Sequence, residues 1–272
     1  MMNELLDMFS YSFMTKALVV GILISLCAAL IGVPLVLKRN SMLGDGLSHA
    51  GFGAFAIATI LGFAPLEFAI PIVIIVSFFI LKLGENSKIH GDARIALISA
   101  SFLAIGIFVI SVTKGVNTDI NNYLFGSILS INDTDIIVSV IVSLIVVLLY
   151  VFSYNKIFAI TFDERFAKSI GIKTNFYNIL FACLCSVVVV LGMRLMGALL
   201  ISSLIIFPTL TSMQIFKKFK SVVIMSIFVS IFSFVIGLML SYLFSTPTGA
   251  TIVIVNLAVF VLAYLLRLLC RK

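Results

Sequence analysis

The stretch MLGDGLSHAGFG, residues 42–53, sets a carboxylate, Asp45, and an imidazole, His49, four residues apart in an apolar, glycine-rich run. On a helix one turn separates them, and both side chains point the same way. An ionisable group at membrane depth costs about 3 kcal/mol or more, and such groups usually mark a substrate or ion pathway. The remainder of the chain decides whether this is membrane depth.

With 62% hydrophobic and 11% charged residues over 272 positions, the composition lies far from that of water-soluble domains, about a quarter of whose residues are charged. A window of about 20 residues finds apolar segments at roughly 13–37, 46–64, 66–83, 94–113, 134–154, 176–193, 197–215, 221–243 and 249–268. The expected fold is an all-α polytopic membrane protein of about nine transmembrane helices, with residues 1–272 forming a single transmembrane permease domain. No polar interruption is long enough to hold a separate catalytic domain, which needs about 50 residues or more.

Basic residues flanking spans are retained on the cytoplasmic side. With the N-terminus outside, 15 of the 18 Lys and Arg residues fall on that side, and only Lys16, Lys114 and Arg194 lie outside. The expected topology is therefore N-terminus outside and C-terminus cytoplasmic, in the cell (inner) membrane. The +7 net charge is then a topology signal and needs no nucleic acid to explain it. Glu4 and Asp7 stand where a signal peptide would carry basic residues, so the first span is expected to stay. The four cysteines, Cys27, Cys183, Cys185 and Cys270, sit in apolar spans and are expected to pack as small apolar residues.

Three segments between spans carry information. In KRNSMLGDGLSH, Gly44 and Gly46 flank Asp45 and are expected to loosen the backbone before a helix begins. YLFGSILSIND, residues 123–133, is too short and polar to span and suggests an interfacial or re-entrant piece. ITFDERFAKSIGI, residues 160–172, reads as a short helix on the cytoplasmic side. Thr161 and Glu164 form a T-x-x-E capping box, and Gly171 provides a C-terminal stop. Phe162, Phe166 and Ile170 make an apolar stripe, which either lies on lipid or docks into a partner's groove.

These segments together resemble the membrane permease of the metal-ion ABC importers, which serve zinc, manganese and iron uptake. GDGLSHAGFGA is similar to that family's G-D-x-L-S/A-H segment and YLFGSILSINDTD to its L-F-G-S-I-L segment. FDERFAKSIGI is similar to its F-D-x-x-x-A-x-x-x-G coupling helix, MGALLISSLIIFP to its G-x-L-L-V-S-x-L-x-x-x-P span, and PTGATIVIV to its P-S-G-A-T-I-V segment. Five motifs in order cover nearly the whole chain.

The resemblance implies a type II ABC importer-like permease that pairs with a second copy of itself and with separate ATP-binding subunits. An extracellular or periplasmic metal-binding protein delivers the ion. The coupling helix, about 161–171, would meet the ATPase through Phe162, Asp163, Glu164, Arg165, Phe166, Ala167 and Gly171. The chain has no G-x-x-x-x-G-K-[ST] loop with which to cradle ATP phosphates, so hydrolysis would fall to the partner and this chain would be a transport subunit, not an enzyme. No permanently bound cofactor is expected, and a divalent metal ion, zinc or manganese, is the substrate.

The family's metal site carries over onto Asp45 and His49. Carboxylate plus imidazole suits zinc and manganese, and the first-row affinity order favours zinc. Two protein ligands are few for retention, which suits a site that must release its ion. Ser48, the glycine backbone, water, or the same pair from a second chain are candidates to complete the shell. The alternative is that Asp45 caps the helix and His49 packs. Glu67 is expected to be a solvated cap, His90 to be solvated, Asp133 and Asp135 to be candidates for meeting the delivery protein, and Met193 and Met196 to be core. Pro208, Thr209, Leu210, Thr211 and Ser212 replace the family's P-A-A-T-A run, and the segment after His49 lacks the proline of many manganese-type members, which points to the zinc branch. A manganese or iron importer is the nearest alternative. An ion-coupled secondary transporter would need ionisable residues in several spans, and a membrane metalloenzyme would need a third ligand and a general base.

Overall fold

The computed structural model describes residues 10–86, 91–113 and 133–270. Among them every regular element is a helix. In chain order these are α1 (Ser12–Leu37), α2 (Met42–Leu61), α3 (Pro65–Asn86), α4 (Gly91–Val112), α5 (Asp133–Phe162), α6 (Glu164–Ser169), α7 (Thr174–Met196), α8 (Ala198–Ile215), α9 (Phe219–Phe244) and α10 (Thr248–Cys270). Seven of them, α1, α4, α5, α7, α8, α9 and α10, contain stretches long and apolar enough to cross a membrane. Large apolar side chains such as Leu97, Phe108, Phe152, Phe228 and Leu269 project outward from this set, as hydrocarbon contact requires and water would oppose.

α2 is not one of the seven. Asp45, His49 and its glycines dilute its apolar content, and it compensates by being enclosed. Leu47, Phe52 and Phe55 of α2 are packed into one core with Ile24 and Ile31 of α1, Val189 and Met193 of α7, and Ile201 and Ile205 of α8. Close approach depends on small residues, as is usual for helices packed inside a membrane. A Cβ on Gly53 would sit 2.6 Å from the Phe102 carbonyl oxygen of α4, and one on Gly32 of α1 would collide with the Ile205 carbonyl of α8.

The expected loop before α2 is therefore a correction. The helix already runs from Met42, so Asp45 and its two glycines are helical. Gly44 faces the Ile205 side chain and Gly46 faces that of Ile95, so these glycines serve packing and not unwinding.

The buried hydroxyls of Ser25, Ser139, Tyr150, Thr211 and Ser233 have no partner among the described residues, whereas others find carbonyls within their own helices, as Ser186 does with Ala182 at 2.8 Å, or across helices, as Ser230 does with the Ser25 carbonyl at 2.9 Å. Asn256 of α10 does neither. It is fully buried, and both its amide atoms lack a hydrogen-bond partner among the described residues. The pairing of α9 with α10, fixed where Gly237 meets Ile252 and where Ser241 bonds Thr248 at 3.1 Å, sets Ser233 opposite it. An unsatisfied buried amide costs about 1–3 kcal/mol. Asn256→Leu, which keeps the number and branching of side-chain heavy atoms, is thus expected to raise the thermal unfolding midpoint of the detergent-solubilised protein, and a lowered midpoint would count against an unsatisfied amide.

Candidate functional site

Asp45 occupies the first turn of α2, where free helical N–H groups favour negative charge. Across residues 43–56 every residue is buried except two, Asp45 and His49. Their side chains are 41% and 24% exposed respectively. This stretch of the helix is thus closed except where its carboxylate and imidazole emerge.

His49 Nε2 lies 3.6 Å from Asp45 Oδ2, too far for a good hydrogen bond. Two donors on a tetrahedral centre with bonds near 2.1 Å stand about 3.4 Å apart, close to the spacing of this pair. The other carboxylate oxygen, Oδ1, accepts a hydrogen bond from Ser202 Oγ of α8 at 3.3 Å. Among the described residues no group of three or more His, Cys, Asp or Glu side chains gathers anywhere. A single chain therefore offers one carboxylate and one imidazole, with a hydroxyl beside them.

The alternative in which Asp45 caps the helix, and the candidacy of Ser48 for the shell, do not hold. Asp45 does not cap α2, because Ser41 is at the cap position and makes no side-chain bond there, while Asp45 faces Ser202 and His49. Ser48 does not face the pair, because it is fully buried and donates to the Gly44 carbonyl at 2.9 Å. Ser202 went unassigned although it stands in the MGALLISSLIIFP motif. In the structure it lies with Leu199, Ile206, Leu210 and Met213 on a partly open stripe of α8. Met193 and Met196 are buried in the core as expected, Met193 against Gly51. Glu67 is exposed in the first turn of α3. His90 and most of the segment 123–133 lie outside the described residues, and Asp133 and Asp135 open α5.

The second group of named residues lies at the opposite kind of surface. Phe162, which ends α5, and Phe166 and Ile170 on and after α6 are 61%, 58% and 57% exposed, an open apolar stripe as the spacing predicts. Arg165 and Gly171 are exposed as well, and Ala167 alone of the seven is buried. The capping box is a correction. Asp163 caps α6, its Oδ1 accepting the Phe166 N–H at 2.9 Å, whereas Thr161 donates to the Ile157 carbonyl one turn back in α5. The chain leaves α5 at Phe162, so Thr161 is still inside a helix and cannot start the next one. Gly171 does stop α6, with φ +86 and bonds from Gly171 N–H to the Lys168 carbonyl and from Ile172 N–H to that of Ala167, the pattern of a Schellman ending.

Glu164, freed from capping, ties α6 to two other helices. Its Oε1 accepts from Asn178 Nδ2 of α7 at 2.8 Å, and its Oε2 lies 3.4 Å from Lys38 Nζ at the end of α1. Lys38 also donates to Asn178 Oδ1 at 3.0 Å. Burial holds the Lys38 ammonium below its ordinary pKa, and Glu164 partly offsets that.

The chain as a whole has counterparts among known proteins. Residues 10–267 match the ABC 3 transport family. The chain belongs to that family. The manganese import system permease protein ScaB of Streptococcus gordonii is 31% identical over 266 residues, covering 96% of this chain and 95% of its own. The high-affinity zinc uptake system membrane protein ZnuB of Haemophilus influenzae is 29% identical, covering 94% and 98%. A probable iron transport system membrane protein from the same organism is 32% identical, covering 97% and 94%. A solved structure described as PsaBC from Streptococcus pneumoniae in complex with Fab superimposes with a TM-score of 0.87 at 31% identity, covering 97% of this chain and 95% of that one.

This ABC 3 chain is accordingly a multi-pass membrane permease, a transport component and not an enzyme. Membership implies ATPase and substrate-binding partners.

The cap geometry gives a direct test. Asp163→Ala is expected to remove about 0.5–2 kcal/mol from the α6 start and to accelerate backbone hydrogen exchange across residues 164–170, whereas Thr161→Ala leaves that exchange unchanged. The reverse pattern would restore the capping box.

Proposed function

We propose that this chain is the membrane-spanning subunit of an ATP-driven importer of divalent first-row metal ions, with Asp45 and His49 binding the ion in transit. The observation that carries the reading is that across residues 43–56 α2 is open only at this pair. The 3.6 Å spacing and the manganese, zinc and iron named in the relatives' descriptions agree with it. Zinc is the cargo favoured by the affinity order for oxygen and nitrogen donors.

The pair's open side supports a homodimer in which a second copy's Asp45 and His49 complete the shell. The full reading has nine spans, α2 and α3 crossing within the bundle, with the N-terminus outside and the C-terminus cytoplasmic. It draws support from the end of the bundle that carries α6, where Lys38, Lys173, Lys217, Lys218 and Lys220 collect and Phe219 packs on Tyr154, Phe158 and Phe162. There α6 docks on the ATPase through Phe162 and Phe166, and an external binding protein delivers the ion at the other end.

Asp45→Asn keeps the side-chain size and removes the charge, and His49→Ala removes the imidazole. Each is expected to insert normally and to lose most metal-dependent uptake in cells lacking the native chain, with zinc, manganese and iron assayed separately. Near wild-type transport of every metal by both variants would overturn the site. Independently, replacing Phe162 and Phe166 together by Ala is expected to weaken ATPase association by about 1–3 kcal/mol, read as lost co-purification. Unchanged co-purification and coupling would remove α6 as the docking element.

A further inference from the structure

Ser202 faces two acceptors with one proton. Its Oγ lies 3.3 Å from Asp45 Oδ1 and 3.2 Å from the Ala198 carbonyl oxygen. A hydroxyl has a single O–H and two lone pairs, so it satisfies one acceptor well only by turning from the other. Around it the backbone is fixed. The turn between α7 and α8 is the single residue Gly197, with φ 88 and ψ 156, a region open in practice only to glycine. One turn beyond Ser202, the Ile205 carbonyl is clamped by the missing Cβ of Gly32. The Ser202 backbone is held in place, while its hydroxyl can turn about χ1 and redirect its proton.

We propose that Ser202 is a third protein ligand of the transported ion and sets its hardness. With no ion, the hydroxyl donates to Asp45 and holds the carboxylate in place. When a cation takes the carboxylate, the O–H rotates to the Ala198 carbonyl and presents a lone pair to the metal. The hydroxyl stays protonated throughout, and no covalent bond forms or breaks. This rests on the reading that Asp45 and His49 bind the ion. An added neutral oxygen shifts the donor set toward ions that accept hard ligands, manganese and zinc, and away from softer ones such as cadmium, which a thiolate in the same place would prefer.

The test uses the full-length chain in detergent with metal alone as the probe. Ser202→Ala is expected to weaken manganese binding on the order of tenfold with an unchanged unfolding midpoint, and Ser202→Thr to restore it. Ser202→Cys is expected to raise cadmium affinity and to produce a thiolate-to-cadmium charge-transfer band absent from the wild type. Adding His49→Ala to that variant is expected to abolish the band. A merely structural serine would produce no such band. If Asp45→Asn and His49→Ala lose metal while the Ser202 variants bind as wild type with no band, the ligand role of Ser202 is overturned and the pair stands. If all of these variants bind as wild type, the site itself is wrong and the proposal falls with it.

Discussion

A carboxylate and an imidazole cannot face hydrocarbon, and the rest of the bundle is arranged around that constraint. α2 is wrapped by α3, α4, α7 and α8, and glycines let neighbouring backbones and side chains come close. Gly53 meets the Phe102 carbonyl and Gly46 meets Ile95. The outer helices then carry the lipid contact in their exposed Leu, Ile and Phe side chains. Burial of the polar helix and exposure of the apolar ones are two sides of the same solution, since the protein interior supplies the hydrogen bonds and charge neighbours that lipid lacks.

The same packing connects the two regions of interest. Lys38 closes α1, holds Glu164 of α6 and Asn178 of α7, and is followed by a short turn in which Asn40 N–H bonds the Leu35 carbonyl at 2.9 Å. Asp45 comes seven residues after Lys38. In the proposed reading α6 docks on the ATPase, and this polar junction and turn lie between it and the transit site.

Much of this was legible in the sequence. Apolar length gave the helices, and the spacing of four gave the convergence of Asp45 with His49 and the open stripe of Phe162, Phe166 and Ile170. The failures share a cause. Gly44 and Gly46 read locally as loosening residues, but Ile205 and Ile95, far away in sequence, recruit them for packing. Thr161 fits a capping box until the preceding helix continues through it to Phe162, leaving Asp163 as the first residue free to cap. Ser202 could not be placed beside Asp45 because the contact joins residues 157 positions apart, and nothing in a one-turn window reports which face of α8 meets α2.

The most direct measurement is the position of the ion. Anomalous scattering from crystals of the full importer grown with manganese or zinc locates it without reference to activity. The account predicts a peak within about 2.0–2.2 Å of an Asp45 carboxylate oxygen and His49 Nε2. A well-occupied peak elsewhere along the bundle, with Asp45 and His49 free of metal, would contradict it.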